Sequence, residues 1–201
     1  MSKTEVNPVM LNASQFYSNV FRPEVNTIVF AETNHLDISS MQSGMNLLRE
    51  ARKLQRPVRI LTEHFSPRLL NGVRDTQQLH DLVLGNHPET AYNKGGTVSG
   101  DLFLPFLETA FNAGELVSYG CNGDSNSFKH TGLPRILKRL MQESNKLNIA
   151  FIGEIHLDSE EESMLRILPP NKECVYLTHK GFGSSITQIG EHRYEIHGIL
   201  R

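Results

Sequence analysis

Asn148-Ile149-Ala150-Phe151-Ile152, running on into Gly153-Glu154-Ile155-His156, is the stretch that decides the fold. A short apolar run without polar alternation reads as a strand buried on both faces, the signature of a parallel sheet. Working outward, similar runs recur at Asn26–Ala31, Val58–Thr62, Glu115–Tyr119 and Glu173–Leu177. Helical patterns separate them. Met41, Met45, Leu48, Ala51 and Leu54 recur at helical spacing over 40–55, with Ser39 and Ser40 as caps. Residues 66–84 read as one broken or two short helices, and Leu102–Asn112 as another. Leu133, Ile136, Leu137, Leu140 and Met141 mark an amphipathic helix. Ser159–Leu168 opens with Glu160, Glu161 and Glu162, which suits a helix N-terminus, and Pro169-Pro170 ends it. Strands alternating with helices predict an α/β fold with a mostly parallel central sheet flanked by helices. The tail alternates around Gly190-Glu191-His192 and reads as a C-terminal antiparallel hairpin at one edge. The expected organisation is an N-terminal arm or short helix over 1–26 and a single α/β domain over 27–201.

Composition narrows the function classes. The 201 residues are 38% hydrophobic, enough for a sizeable core. A net charge of −2 and 7% aromatic residues, with no interleaving of basic and aromatic side chains, argue against a nucleic-acid partner. No apolar run is long enough to span a membrane, and the first residues lack a signal-peptide core. The expectation is a cytoplasmic protein, or one exported without a cleaved signal. Cys121 and Cys174 form no metal-ligand spacing, and nothing in the sequence places a base beside Cys121. No phosphate-loop pattern follows any strand, which disfavours nucleotide hydrolysis.

The chemistry-bearing residues gather just after the strands. The runs are Glu32-Thr33-Asn34-His35, Glu63-His64, Cys121-Asn122-Gly123-Asp124, Glu154-Ile155-His156 and Thr178-His179-Lys180. A lone His after a strand is usually a surface or loop residue. Here an acid and a His recur together after the first, second and fourth strands. In an open parallel sheet the carboxyl ends share one rim, where ligand crevices form. Carboxylates and imidazoles converging there are the material of general acid–base catalysis or of a metal site. His80, His87, His130, His192 and His197 fall outside this pattern and read as structural or surface residues.

Ile28-Val29-Phe30-Ala31-Glu32-Thr33-Asn34-His35 resembles the Gly-Glu-x-x-His opening of the EreA/ChaN-like superfamily, with Ala31 in place of the usual Gly. Arg59-Ile60-Leu61-Thr62-Glu63-His64 resembles its second strand, which ends in an acid. Phe151-Ile152-Gly153-Glu154-Ile155-His156 with Ser163–Leu168 resembles its late Gly-x-x-His strand and short helix. The resemblance covers roughly residues 27–178. That superfamily includes erythromycin esterases, ChaN-type haem-binding proteins, Tiki and TraB-type proteases, and Ras/Rap1-specific endopeptidase toxin domains.

The resemblance implies a hydrolase, a peptidase or an esterase, with protein or ester as substrate. It also allows a delivered bacterial effector contributing to virulence. Glu32, His35, Glu63, His64 and His156 are the expected catalytic residues, and Glu154, Asp124 and His179 the expected pocket lining. His35 is assigned as the base that takes a proton from water, Glu63 as its orienting or base partner, and His156 as oxyanion stabiliser. No cofactor is the primary expectation. A divalent metal, Mn²⁺ or Zn²⁺, is the alternative, held by Glu32, His35, Glu63 and His156. The rival function is a non-catalytic haem- or partner-binding protein of the same fold.

Overall fold

A computed structural model describes residues 7–32, 37–62, 73–84, 100–118, 138–139, 145–154, 157 and 163–201. The strands are β1 (Val9–Leu11), β2 (Thr27–Glu32), β3 (Val58–Thr62), β4 (Glu115–Ser118), β5 (Leu147–Gly153), β6 (Cys174–His179), β7 (Ser185–Gly190) and β8 (Arg193–His197). The helices are α1 (Ala13–Val20), α2 (Ile38–Arg52), α3 (Thr76–Leu84), α4 (Gly100–Ala113) and the single turn α5 (Met164–Ile167). One eight-stranded sheet runs β1-β7-β8-β6-β2-β5-β3-β4. Strands β8, β6, β2, β5, β3 and β4 are parallel. The sheet is therefore mostly parallel, as the continuous apolar runs predict.

The hairpin joins this sheet in a way its sequence does not specify. β7 and β8 pair antiparallel, but β8 sits inward and pairs parallel with β6. β7 lies one place further out, and its outer side is covered by β1, paired antiparallel. β1 and α1 lie within the first 26 residues. The capping box of Asn12 and Gln15 starts α1, which buries Phe16 and Val20 against the sheet.

Side-chain alternation divides the core into two layers. Ile28 and Phe30 of β2, Ile60 of β3, Phe151 of β5 and Leu177 of β6 face α1, α2, α3 and α4. Val29, Ala31, Leu61, Ile152 and Tyr176 face the opposite side with Met164 of α5. Helix α2 approaches the sheet closely at Gly44, where an added Cβ would meet the Phe151 ring at 2.9 Å.

The boundaries of α2 differ from the sequence reading. α2 begins at Ile38 rather than 40, and its cap is Asp37 rather than Ser39 or Ser40. The Asp37 carboxylate accepts from the Ser39 amide at 2.9 Å and the Ser39 hydroxyl at 2.7 Å. An acidic cap also suits the helix dipole. The helix ends at Arg52, short of the expected 55. The amphipathic helix expected around Leu133–Met141 lies outside the described residues apart from residues 138–139, which are helical.

Candidate functional site

The strand order creates a crevice. β2 leads into α2 on one face of the sheet, whereas β5 leads into α5 on the other. β2 and β5 are neighbours, so their carboxyl ends part at a topological switch point, the usual place for a ligand in an open α/β sheet. Glu32 ends β2 there, in register with Gly153 of β5 on one side and His179 of β6 on the other. β3 ends at Thr62, in register with Phe151, so three neighbouring strands release their chains at this rim.

Glu32 continues the alternation of Ile28 and Phe30 and lies on the α2 face. It is 5% exposed, and Ser40 in the first turn of α2 donates to its Oε2 at 3.0 Å. A buried carboxylate requires such donors, because leaving it unpaired costs several kcal/mol, on the order of its desolvation. Ser40, read from sequence as a cap, instead turns inward to this task. Three positions further along α2, Ser43 is fully buried and clasps the tail. Its hydroxyl donates to the Gly198 carbonyl at 3.0 Å and accepts from the Leu200 amide at 2.9 Å.

His179 is 1% exposed and stands beside Glu32. Its Nε2 donates to the Gly198 carbonyl at 2.8 Å, and its Nδ1 accepts from the Gly181 amide at 3.2 Å. These partners assign a neutral ring protonated on Nε2. Asp37 Oδ2 lies 3.9 Å from Nδ1. His179 thus ties the turn after β6 to the tail after β8.

Glu154, which follows β5, pairs with Lys180, which follows β6. This pair spans the rim across β2. Lys180 appeared in sequence only as a neighbour of His179; a cation after one strand and an acid after another gave no sign that they meet. His80, read as structural, bonds Glu108 and joins α3 to α4.

Of the sequence-predicted site residues, the structure brings Glu32 and His179 together and sets Glu154 on the same rim. His35, Glu63, His64, Asp124 and His156 lie outside the described residues. So do three of the four residues named as metal ligands. Among the described residues no group of three or more His, Cys, Asp or Glu side chains is placed to hold a metal ion. Asp37, Ser40, Ser43 and Gly198 were missed as site-shaping residues, because their roles rest on contacts distant in sequence.

Cys174 begins β6 at the opposite end of the strand from the rim and is buried. Burial pushes its thiol from an ordinary 9.0 up to about 12. Neighbouring Tyr176 is also raised, chiefly by burial, and its hydroxyl donates to the Met164 carbonyl at 3.2 Å. Neither is an activated nucleophile. No helix among the described residues is long and apolar enough to cross a membrane.

No protein-family model matches the chain, and no curated protein matches it. Solved structures do. The type III effector HopBA1 aligns over 98% of this chain and 99% of its own, with 14% identity and a TM-score of 0.52. ChaN of Campylobacter jejuni, a structure of cofacial haem binding, aligns over 94% of this chain and 96% of its own, with 11% identity and a TM-score of 0.50. At these identities the likeness shows the fold alone, and it is the mixed α/β fold that the sequence motifs imply.

Proposed function

We propose that the protein is a hydrolase, a peptidase before an esterase, working at the β2–β5 switch point. The observation that carries this reading is Glu32, a buried carboxylate held by Ser40 where neighbouring strands end together. β3 runs directly into Glu63 and His64, and β5 into Glu154-Ile155-His156. In this reading His35, oriented by Glu63, takes a proton from water, and the resulting hydroxide attacks the carbonyl carbon. His156 stabilises the oxyanion, and the proton passes to the leaving amine or alkoxide. Glu32, buried and acceptor-rich, holds a neighbouring imidazole in its working tautomer. The effector neighbour of the same fold fits delivery to a protein substrate.

The test compares newly created protein N-termini in a cell lysate treated with wild type, Glu63→Gln or Glu32→Gln. New termini should appear with the wild type and fall at least 100-fold in both variants. Equal termini in all three samples would overturn the peptidase reading and turn attention to ester substrates.

A second reading, a haem-binding protein, is favoured by the ChaN neighbour. Haem titration distinguishes it: a Soret shift that depends on a His or Tyr of this chain supports binding, and an unshifted spectrum rules it out.

A further inference from the structure

A pocket of about 520 Å³ opens on the same rim, on the hairpin side of Glu32 and His179. Its size falls in the range of ligand sites. Leu11, Ile186, Ile196 and Ile199 supply an apolar wall. Ser184 and Ser185 stand with them, and neither side chain has a hydrogen-bond partner among the described residues. No acidic side chain lines the pocket among the described residues.

The pocket shares walls with the candidate site. Ser39 lines it, and the next residue, Ser40, donates to Glu32. Gly198 lines it, and its carbonyl accepts from His179. At the mouth, Phe182 is 95% exposed. Gly181 and Gly183 flank it at φ +75 and +134, backbone that a side chain rarely adopts, so a tight turn presents the ring at the pocket's mouth. An aromatic ring held out beside an apolar wall is poised to close over an apolar guest.

From this geometry we infer that the pocket is a specificity subsite for a peptide substrate, taking one bulky apolar side chain while the Ser184 and Ser185 hydroxyls bond the peptide backbone. The inference deepens the peptidase reading and rests on it. The guest's carbonyl side is directed at the rim through the shared Ser39–Ser40 and Gly198 walls. A lysine or arginine side chain is rejected, because it would lose its hydration against a lining with no acidic side chain among the described residues.

The test uses binding rather than turnover. Acetyl-Ala-Leu-Ala-amide and acetyl-Ala-Lys-Ala-amide are titrated separately into the ¹⁵N-labelled full chain. The leucine probe should shift the Gly183, Ser184, Ser185 and Gly198 amides, and the lysine probe should bind at least tenfold more weakly. Phe182→Ala, which leaves the core untouched, should weaken the leucine probe at least threefold. Ser185→Trp should abolish its shifts while circular dichroism stays native. Equal binding of both probes, shifts elsewhere on the chain, or an unchanged affinity in Phe182→Ala would overturn the subsite. Leucine-probe binding as expected, with no lysate cleavage, would keep the pocket and remove the peptidase reading. Cleavage by the wild type with no selective probe binding would remove the subsite and keep the peptidase.

Discussion

His179 shows how much one side chain can hold. Its two ring nitrogens bond the Gly198 carbonyl and the Gly181 amide, so truncation leaves both backbone groups without that partner and opens a cavity. His179→Ala should cost about 2–4 kcal/mol, read from urea unfolding. A loss below about 0.5 kcal/mol would mean that the turn and tail hold without it. Cys174 carries a different expectation. Its folded thiol is raised from 9.0 to about 12, so below pH 9 it is neutral in both folded and unfolded chains. Above pH 9 the unfolded chain loses the proton first. The stability this burial contributes is therefore whole at pH 7 and lost as pH rises from 9 toward 12. Iodoacetamide at pH 8 should leave Cys174 unmodified in the native protein and modify it in denaturant, read by peptide mass spectrometry.

At the scale of elements, the site depends on how closely α2 lies on the sheet. Ser40 reaches Glu32, and Ser43 reaches Gly198 and Leu200, because Gly44 lets the helix settle onto Phe151. Gly44→Ala places a methyl 2.9 Å from that ring. Overpacking of this kind costs about 1–3 kcal/mol, against a gain of about 1 kcal/mol in helix propensity. The variant should be destabilised in urea and should cleave substrate more slowly. A more stable variant with full activity would show that the helix has room to move. Strands β2 to β6 were legible from their continuous apolar runs, and the hairpin and the longer described helices from their hydrophobic period; β1, inside a stretch read as an arm or short helix, was not. The cap of α2 was not, since Asp37, Ser39 and Ser40 are all competent caps, and the burial of Glu32 draws Ser40 away.

At the scale of the molecule, residues 7–26 contribute to the sheet and the core. β1 covers the outer edge of β7, and Phe16 packs edge-on against Tyr194 at 5.6 Å. Phe16→Ala should cost about 3–5 kcal/mol, seen as a lower urea midpoint. A change below about 1 kcal/mol would make this segment an appendage to the fold. The order of strands places the rim. β5 follows β4 in sequence yet inserts between β2 and β3, which brings Gly153 beside Glu32.

By itself the sequence determined the fold class, the positions of strands β2 to β8 and the fact that acids and histidines follow the strands. These are local properties, set by side-chain period and by what succeeds each apolar run. Only the tertiary structure decided that Glu32 and His179 are neighbours, that Glu154 meets Lys180, and that a pocket opens beside them. Those outcomes depend on which strands pair and how closely a helix covers them. Long-range burial of apolar surface decides that pairing, and no single segment encodes it.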